Sequence, residues 1–442
     1  MKGFLSYTML EGDANGGNFE YSLPFSVLFV WAFFVLLVVL LSPIRSTNVS
    51  LRIFNPRNAL TALFRVRSPT EQRLAFLDLF RVWAICWVIS NHLGNEGRLD
   101  TQSIHAHPFL GPVFGNSALG VEIFLVLSGL LAARSWHRRW QFHLGFWRNS
   151  IKFYLHRWLR LAPTTLAFVL LATGSSRRAL PLYLWHLGLD WQCHLLVPFL
   201  LHFLSRHRRA GLSLMIGLII GSMCLRAFKC VSNGICNKSD VDIPFFSVSV
   251  RPDYESLHEI YTRPTTKCGP FLVGLLIGLV TLRADNSPSS EWIEMLRLQH
   301  KTIFWVGVCV AVGCVYGILP QYWYPDQGTT PYNTLYTAIF RTLFASGVGA
   351  MVIGYLFSVK SFAPLTQRLW TVLARLSFST ALTHMPVVFF FTHIAAFQES
   401  MSPFGLLVAL PPAVLMSFVV ATIFYCFVQW PVSQIISHLT KN

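Results

Sequence analysis

The sequence holds three ionisable residues within one apolar stretch, LDLFRVWAICWVISNH, at residues 77–92. Asp78 stands three residues before Arg81, a spacing at which side chains on one helix face can pair. Arg81 and His92 are eleven residues apart, so an α-helix places them on the same face, roughly 16 Å apart along its axis. Ionisable groups inside a membrane span are expensive and usually face a cavity or a partner. Because histidine titrates near neutral pH, this stripe predicts an ion pair at one end and a proton-accepting imidazole at the other.

The composition excludes an ordinary soluble protein. Of 442 residues, 53% are hydrophobic and 12% charged, whereas soluble chains carry about a quarter charged residues. The net charge of +16 follows from basic loops that obey the positive-inside rule, and no nucleic-acid-binding motif accompanies it. The nine cysteines form neither a CxxC motif nor a His/Cys cluster. We therefore predict a membrane protein without a metal site and without a nucleic-acid partner.

The apolar runs predict an all-α, polytopic integral membrane protein with about eleven transmembrane helices. The first run is uncharged and long enough to span, and the arginines that follow it indicate a cytosolic linker. The N-terminus is then luminal and the C-terminus cytosolic. The expected organisation is a luminal N-terminus (1–21), a first transmembrane helix (22–41), a cytosolic basic linker (42–73), a ten-helix transmembrane domain (74–431) and a cytosolic tail (432–442).

Further short motifs follow the first stretch in a fixed order. They are GVEIFLVLSG with Glu122, HRWLRLAP with Arg157 and Arg160, a tryptophan-rich helix with Asp190, and RLSFSTALTHMP with His384. Together these motifs resemble the acyltransferase-3 family of membrane enzymes. GPFLVGLLIG at 269–278 is similar to the nose-resistant-to-fluoxetine-like branch of nematodes and insects. That branch normally carries a cysteine-rich luminal domain before its first helix, which we expect this chain to lack.

The resemblance implies an acyltransferase that moves an acyl group from acyl-CoA to a hydroxyl or amine of a luminal or lipid acceptor. The implied catalytic residues are His92 as general base, with Asp78 and Arg81. The implied donor-binding residues are Arg81, Arg157 and Arg160, because guanidinium groups bind phosphate through paired hydrogen bonds. The implied cavity-lining residues are Glu122, Asp190 and His384. Acyl-CoA is a co-substrate here, no resident cofactor is expected, and membrane lipids are the other expected partners.

Each of these residues also has a simpler explanation. Arg81 could be a charge that reaches out to the membrane interface, and Glu122 a carboxylate favoured at a helix start. Arg157 and Arg160 fit plain positive-inside charge or contact with anionic lipid. Intramembrane ionisable residues also mark transport pathways, so the alternative is a non-catalytic transporter or a lipid-handling or small-molecule-handling protein of the same fold. Release of CoA separates the two functions; the compartment expected for either is an endomembrane or the plasma membrane.

The longest polar loop, residues 226–267, is predicted to be luminal and to carry a disulfide and a glycan. It carries Cys230, Cys236 and the glycosylation sequon at Asn237, and Cys268 follows directly. Disulfides and N-linked glycans both belong to an oxidising, non-cytosolic compartment. The sequon at Asn48 lies in the predicted cytosolic linker, so we expect it to stay unmodified.

Overall fold

The computed structural model describes residues 53–65, 76–96, 101–175, 184–237, 259–287, 289–358, 367–392 and 402–439, and its regular structure there is entirely helical. The first helices are α1 (Pro56–Leu63), α2 (Phe76–Glu96), α3 (Thr101–Ala106), α4 (Leu110–Gly115), α5 (Leu119–Arg139), α6 (Phe146–Ser175), α7 (Trp185–Arg206), α8 (Arg208–Ser232) and α9 (Pro264–Lys267). The remaining α-helices are α10 (Gly269–Asn286), α11 (Glu291–Leu298), α12 (His300–Tyr316), α13 (Leu319–Trp323), α14 (Pro331–Leu356), α15 (Gln367–Thr392), α16 (Pro403–Phe424) and α17 (Trp430–Leu439). A 3-10 turn (Pro325–Gln327) and a π-helical segment (Tyr425–Gln429) complete the set. The all-α prediction is confirmed.

Seven helices within the described residues are long and apolar enough to cross a membrane. They are α5, α7, α8, α12 with α13, α14, α15, and α16 with α17. The helices α2, α6 and α10 carry charged residues and pack into the same bundle. The chain is therefore a multi-pass membrane protein, as predicted. The predicted first transmembrane helix, residues 22–41, lies outside the described residues, so the total of eleven stays a prediction.

Three segments differ from the helix limits that the sequence predicts. The uncharged run at residues 161–172 predicts a short span of its own after a basic interfacial helix, but α6 is one helix of 30 residues with Pro163 inside it. Neighbouring helices can satisfy the backbone group that a proline leaves unbonded, so a membrane helix tolerates this proline. Residues 94–118 and 283–301 lie between apolar runs, so the sequence predicts loops there, but these segments contain α3, α4 and α11. In α11 the amphipathic pattern buries Ile293 against the ends of α10 and α14.

The tightest helix contact joins α5 to α10 through glycine. A Cβ atom at Gly129 would lie 2.1 Å from the carbonyl oxygen of Phe271, and one at Gly274 would lie 2.0 Å from that of Val126. Membrane helices approach this closely only where small residues let the two backbones touch. On its other side α5 packs against α2, which in turn packs against α15. These contacts bring His92, Glu122 and His384 towards the same interior region.

Candidate active site

A buried cavity opens where α2, α5, α7 and α15 meet. Its lining includes the imidazoles of His92, His186 and His384, and the rings of Trp185 and Tyr261. Its volume is about 30 Å³, which gives room for a water molecule or two. The described residues contain no group of three His, Cys, Asp or Glu side chains that could hold a metal ion.

The α2 stripe has the geometry that its spacing predicts. Arg81 donates to the Oδ1 atom of Asp78 at 2.9 Å, with Asp78 fully buried and Arg81 partly exposed. His92 lies about three helical turns beyond Arg81, buried in the cavity wall. The ion pair and the imidazole thus occupy opposite ends of one helix face, roughly 16 Å apart along the axis.

His384 lies directly beside His92, with the two ring centroids 5.1 Å apart. The Nδ1 atom of His384 is 3.0 Å from the carbonyl oxygen of Thr380 and 3.1 Å from that of Ala381. A carbonyl oxygen only accepts hydrogen bonds, so Nδ1 carries the proton and the neutral ring keeps its lone pair on Nε2. His186 lies within electrostatic range of both rings. The sequence predicted His384 in the cavity lining; the structure adds that it is the neighbour of His92.

Glu122 binds two cations behind the cavity wall. Its Oε1 atom is 2.8 Å from Nη1 of Arg341 and 3.0 Å from Nζ of Lys267, and all three side chains are at most 4% exposed. Both cations also lie over the ring of Tyr261, with Lys267 Nζ 3.5 Å and Arg341 Cζ 4.8 Å from its centroid. Tyr261 lines the cavity, and so does Trp185, whose ring centroid is 5.1 Å from Lys267 Nζ, so aromatic rings separate this charged cluster from the cavity. We expected Glu122 in the cavity lining. In the described part of the chain it lies behind the residues that line this cavity.

Sequence reasoning missed Lys267 because the residue ends a polar loop and seemed to belong to it. The available signal was its place immediately before the apolar helix that starts at Gly269, opposite a carboxylate within another apolar run. Arg341 is a charge inside an apolar run of the sequence, but its partner cannot be read from spacing alone. A buried charge needs a counter-charge, and that requirement joins these two residues to Glu122.

Asp190 also lies in an ion pair rather than in the cavity lining of the described residues. Arg157 donates to the carboxylate of Asp190 and to Oγ of Ser128, the latter at 3.1 Å, while the Ser128 hydroxyl donates to Asp190. This network links α5, α6 and α7. It gives the buried carboxylate of Asp190 the hydrogen bonds and the cation that burial demands.

Arg160 completes the predicted group of three arginines. It is exposed on α6 and lies within electrostatic range of Arg81, Arg157 and Arg139. Arg81 is bonded to Asp78 and Arg157 to Asp190, whereas Arg160 has no carboxylate partner among the described residues. The structure therefore brings the three predicted donor-binding residues into one neighbourhood, and Arg160 is the one whose charge is open to an anionic ligand.

A helical bundle that buries histidines and ion pairs around an internal cavity defines a multi-pass membrane protein with a polar interior site. The family model described as Acyltransferase domain, of the acyltransferase-3 type, matches residues 74–428, and the chain belongs to this family. The match contains all eight predicted site residues. This membership confirms the resemblance seen in the motifs and supports a membrane acyltransferase type of function.

Two proteins of Caenorhabditis elegans are similar to the chain. Regulator of hypoxia-inducible factor 1 is 38% identical over 422 residues, which cover 84% of this chain and 81% of that protein. Nose resistant to fluoxetine protein 6 is 22% identical over 374 residues, which cover 71% of this chain and 45% of that protein. No solved structure matches the chain. The similarity to the second protein agrees with the predicted nose-resistant-to-fluoxetine-like branch. Neither name states a reaction, so the names do not identify a substrate.

Proposed function

We propose that the chain transfers an acyl group from acyl-CoA to a hydroxyl or amine of a luminal or lipid acceptor, with His92 as the general base. The observation that supports this proposal best is the place of His92. It lies buried in the cavity of an acyltransferase-family bundle, with the imidazole of His384 5.1 Å away between ring centroids. A buried base suits acyl transfer, because water at the site would compete with the acceptor for the thioester.

In the proposed step the acceptor gives its O–H or N–H proton to an imidazole nitrogen of His92. The acceptor atom then forms a bond to the thioester carbonyl carbon, and the resulting tetrahedral intermediate collapses with cleavage of the C–S bond. The CoA thiolate leaves and takes the proton from the His92 imidazolium. The products are the acylated acceptor and free CoA, and the imidazole returns to its starting state.

The donor would lie between the arginine neighbourhood and His92. Arg160, with Arg81 and Arg157 beside it, offers cations to the phosphates of the nucleotide end. Roughly 16 Å of helix rise separates Arg81 from His92, a distance that an extended pantetheine arm can cover. Asp78 positions Arg81 through its 2.9 Å ion pair. With the predicted topology, the donor enters from the cytosol of an endomembrane or plasma-membrane protein.

The test measures acyl transfer by the purified full chain in lipid nanodiscs with labelled acetyl-CoA and a membrane lipid extract as acceptor source. His92→Gln keeps hydrogen bonding but cannot take up a proton near neutral pH, so CoA release should fall by about a hundred- to ten-thousand-fold. His202→Gln is the matched control. His202 is a half-buried histidine outside the cavity, packed on Phe146 at 4.6 Å between ring centroids, and its replacement should leave the rate within about twofold of the parent protein.

Two results would contradict the proposal. A His92→Gln rate above about a tenth of the parent rate would show that His92 is not the base. Movement of labelled small molecules across sealed vesicles, equal in parent and variant and without CoA release in either, would favour the non-catalytic transporter.

A further inference from the structure

Between Glu122 and Asp240 the sequence contains a single acidic residue, Asp190, and that residue is buried against Arg157. The same segment forms the corner where α5 ends and α6 begins. Four basic side chains lie at this corner, and we call them the corner cations: Arg138, Arg139, Arg148 and Lys152. Three of them, all but Arg139, are exposed. The corner therefore presents positive charge with no acidic residue near it in the chain.

The contacts of the corner cations leave their charge uncompensated. Nη2 of Arg139 is 2.7 Å from Nε2 of His156, and Nζ of Lys152 donates to the Oε1 atom of Gln141 at 3.1 Å. No corner cation forms an ion pair with a carboxylate in the described part of the chain. Neutral hydrogen-bond partners orient these side chains without cancelling their charge. An anion approaching the corner would thus meet two cations, Arg139 and Lys152, that are already held by neutral partners.

The backbone of the corner is held by one buried side chain. Nδ2 of Asn149 donates to the carbonyl oxygens of Gln141 at 3.1 Å and Leu144 at 2.7 Å, and its Oδ1 atom accepts from the Gln141 backbone N–H at 3.1 Å. Asn149 is 4% exposed. These bonds fold residues 141–149 into one fixed turn, so the cations on both sides of it are preorganised. Preorganisation lowers the entropy that a ligand loses on binding.

An exposed apolar stripe runs beside the cations along the first half of α6. Its members follow each other at intervals of four, four and three residues and are 50% to 67% exposed: Trp147, Ile151, Leu155 and Trp158. That spacing places them on one helix face. Tryptophan is enriched where headgroups meet acyl chains. Residues 161–171 carry no charge, so α6 changes from a basic to an apolar segment directly after this stripe.

We propose that the corner between α5 and α6 binds the headgroup of an anionic phospholipid. The corner cations bind its phosphate and any headgroup carboxylate, while the apolar stripe packs against its acyl chains. A soluble phosphate ligand such as the nucleotide of CoA would use the cations but leave the stripe without a partner. The combination of both features where α5 meets α6 is what selects a lipid.

The test compares binding of phosphatidylserine and phosphatidylcholine to the purified full chain in mild detergent by native mass spectrometry. The test variant replaces all four corner cations with Gln. Each basic residue near a headgroup contributes appreciably to anionic lipid binding, so this variant should lose the phosphatidylserine preference by about tenfold or more. The control replaces Arg283, Arg297 and Lys301 with Gln, because these exposed cations lie beside the acidic residues of α10 and α11 and far from the corner in the chain. Its preference should stay within about twofold of the parent value.

Three outcomes would overturn this proposal. Equal losses in the two variants would mean that general surface charge, not the corner, attracts the lipid. Equal binding of the two lipids to the parent protein would exclude a headgroup site. Displacement of phosphatidylserine by adenosine 3′,5′-bisphosphate would assign the corner to the nucleotide of the acyl donor. These readouts do not depend on acyl transfer, so they hold whether or not the proposed reaction is confirmed.

Discussion

His92 on α2 and His384 on α15 place their imidazole rings side by side in the wall of one buried cavity, with centroids 5.1 Å apart. Backbone carbonyl oxygens hold the Nδ1 proton of His384, which fixes the tautomer of that ring. The ring of His384 is thereby held in one orientation beside His92. The pair, rather than either ring alone, is the unit to test.

The first prediction concerns this pair. His384→Gln should lower kcat by about tenfold, which is less than the loss in His92→Gln. The change removes the imidazole ring that packs beside His92 but leaves the base itself in place. In the double variant the rate should equal that of His92→Gln alone, since residues that act as a unit are not additive. Single-turnover acyl transfer of all four proteins supplies the double-mutant cycle. Fully additive losses would show that His384 acts independently.

The second prediction separates a structural arginine from a binding one. Arg157→Ala leaves the carboxylate of Asp190 buried without its cation, which should destabilise the fold by about 3 kcal/mol or more. The apparent melting temperature in detergent should therefore fall, and Asp190→Asn in the same chain should restore much of it. If the single variant melted like the parent protein, the Arg157–Asp190 pair would not contribute to stability.

Arg160→Ala should have the opposite profile. Arg160 is exposed and has no carboxylate partner in the described residues, so its loss should leave the melting temperature unchanged. The KM for acyl-CoA should rise by about tenfold, and Arg160→Lys should recover only part of it because the planar guanidinium is lost. A KM unchanged in Arg160→Ala would reduce this residue to ordinary positive-inside charge.

The third prediction concerns the buried cluster behind Tyr261. Glu122→Gln removes the carboxylate that Lys267 and Arg341 share, so the yield of monodisperse protein should fall sharply. Lys267→Met is the informative partner variant, because the Glu122–Arg341 pair at 2.8 Å remains. It should fold nearly as well as the parent chain. Gel filtration of the two variants side by side measures the difference, and a reversed order would refute the cluster.

The fourth prediction uses glycine to test the contact between α5 and α10. Gly274→Ala places a Cβ atom 2.0 Å from the carbonyl oxygen of Val126, so the two helices must move apart. Gly313→Ala makes the same chemical change on α12 where no other atom lies within 4 Å. The first variant should lower the melting temperature by several degrees and the second should leave it equal or higher, because alanine favours helices. Similar melting of both would argue against backbone contact at Gly274.

The sequence predicted those features that depend only on residues close together in the chain. The pairing of Asp78 with Arg81 and the placing of His92 on the same stripe follow from helix geometry within one segment. The apolar runs also located most of the helices, since membrane thickness sets their length. The structure confirms the all-α bundle for these reasons, and the family motifs agree with it.

The long-range pairs were beyond local reasoning. Glu122 meets Lys267 and Arg341, and Asp190 meets Arg157, only because particular helices pack together. Spacing along the chain carries no information about which helix faces which. The helix limits also differed where the sequence showed a basic run before Pro163, because a membrane helix accommodates both the charges and the proline.

Arg375, on α15 near the end of the chain, forms hydrogen bonds with the helix at the beginning of the described residues. Its Nη1 atom donates to the carbonyl oxygens of Leu63 at 2.6 Å and Arg65 at 2.7 Å, and so caps the last turn of α1. These partners are separated by 312 and 310 positions in the sequence. Because a polypeptide emerges from the ribosome N-terminus first, α1 waits uncapped while the helices from α2 to α14 are made. The contact between α1 and α15 is therefore one of the last to form during synthesis of this protein, and a chain that stops before Arg375 lacks it.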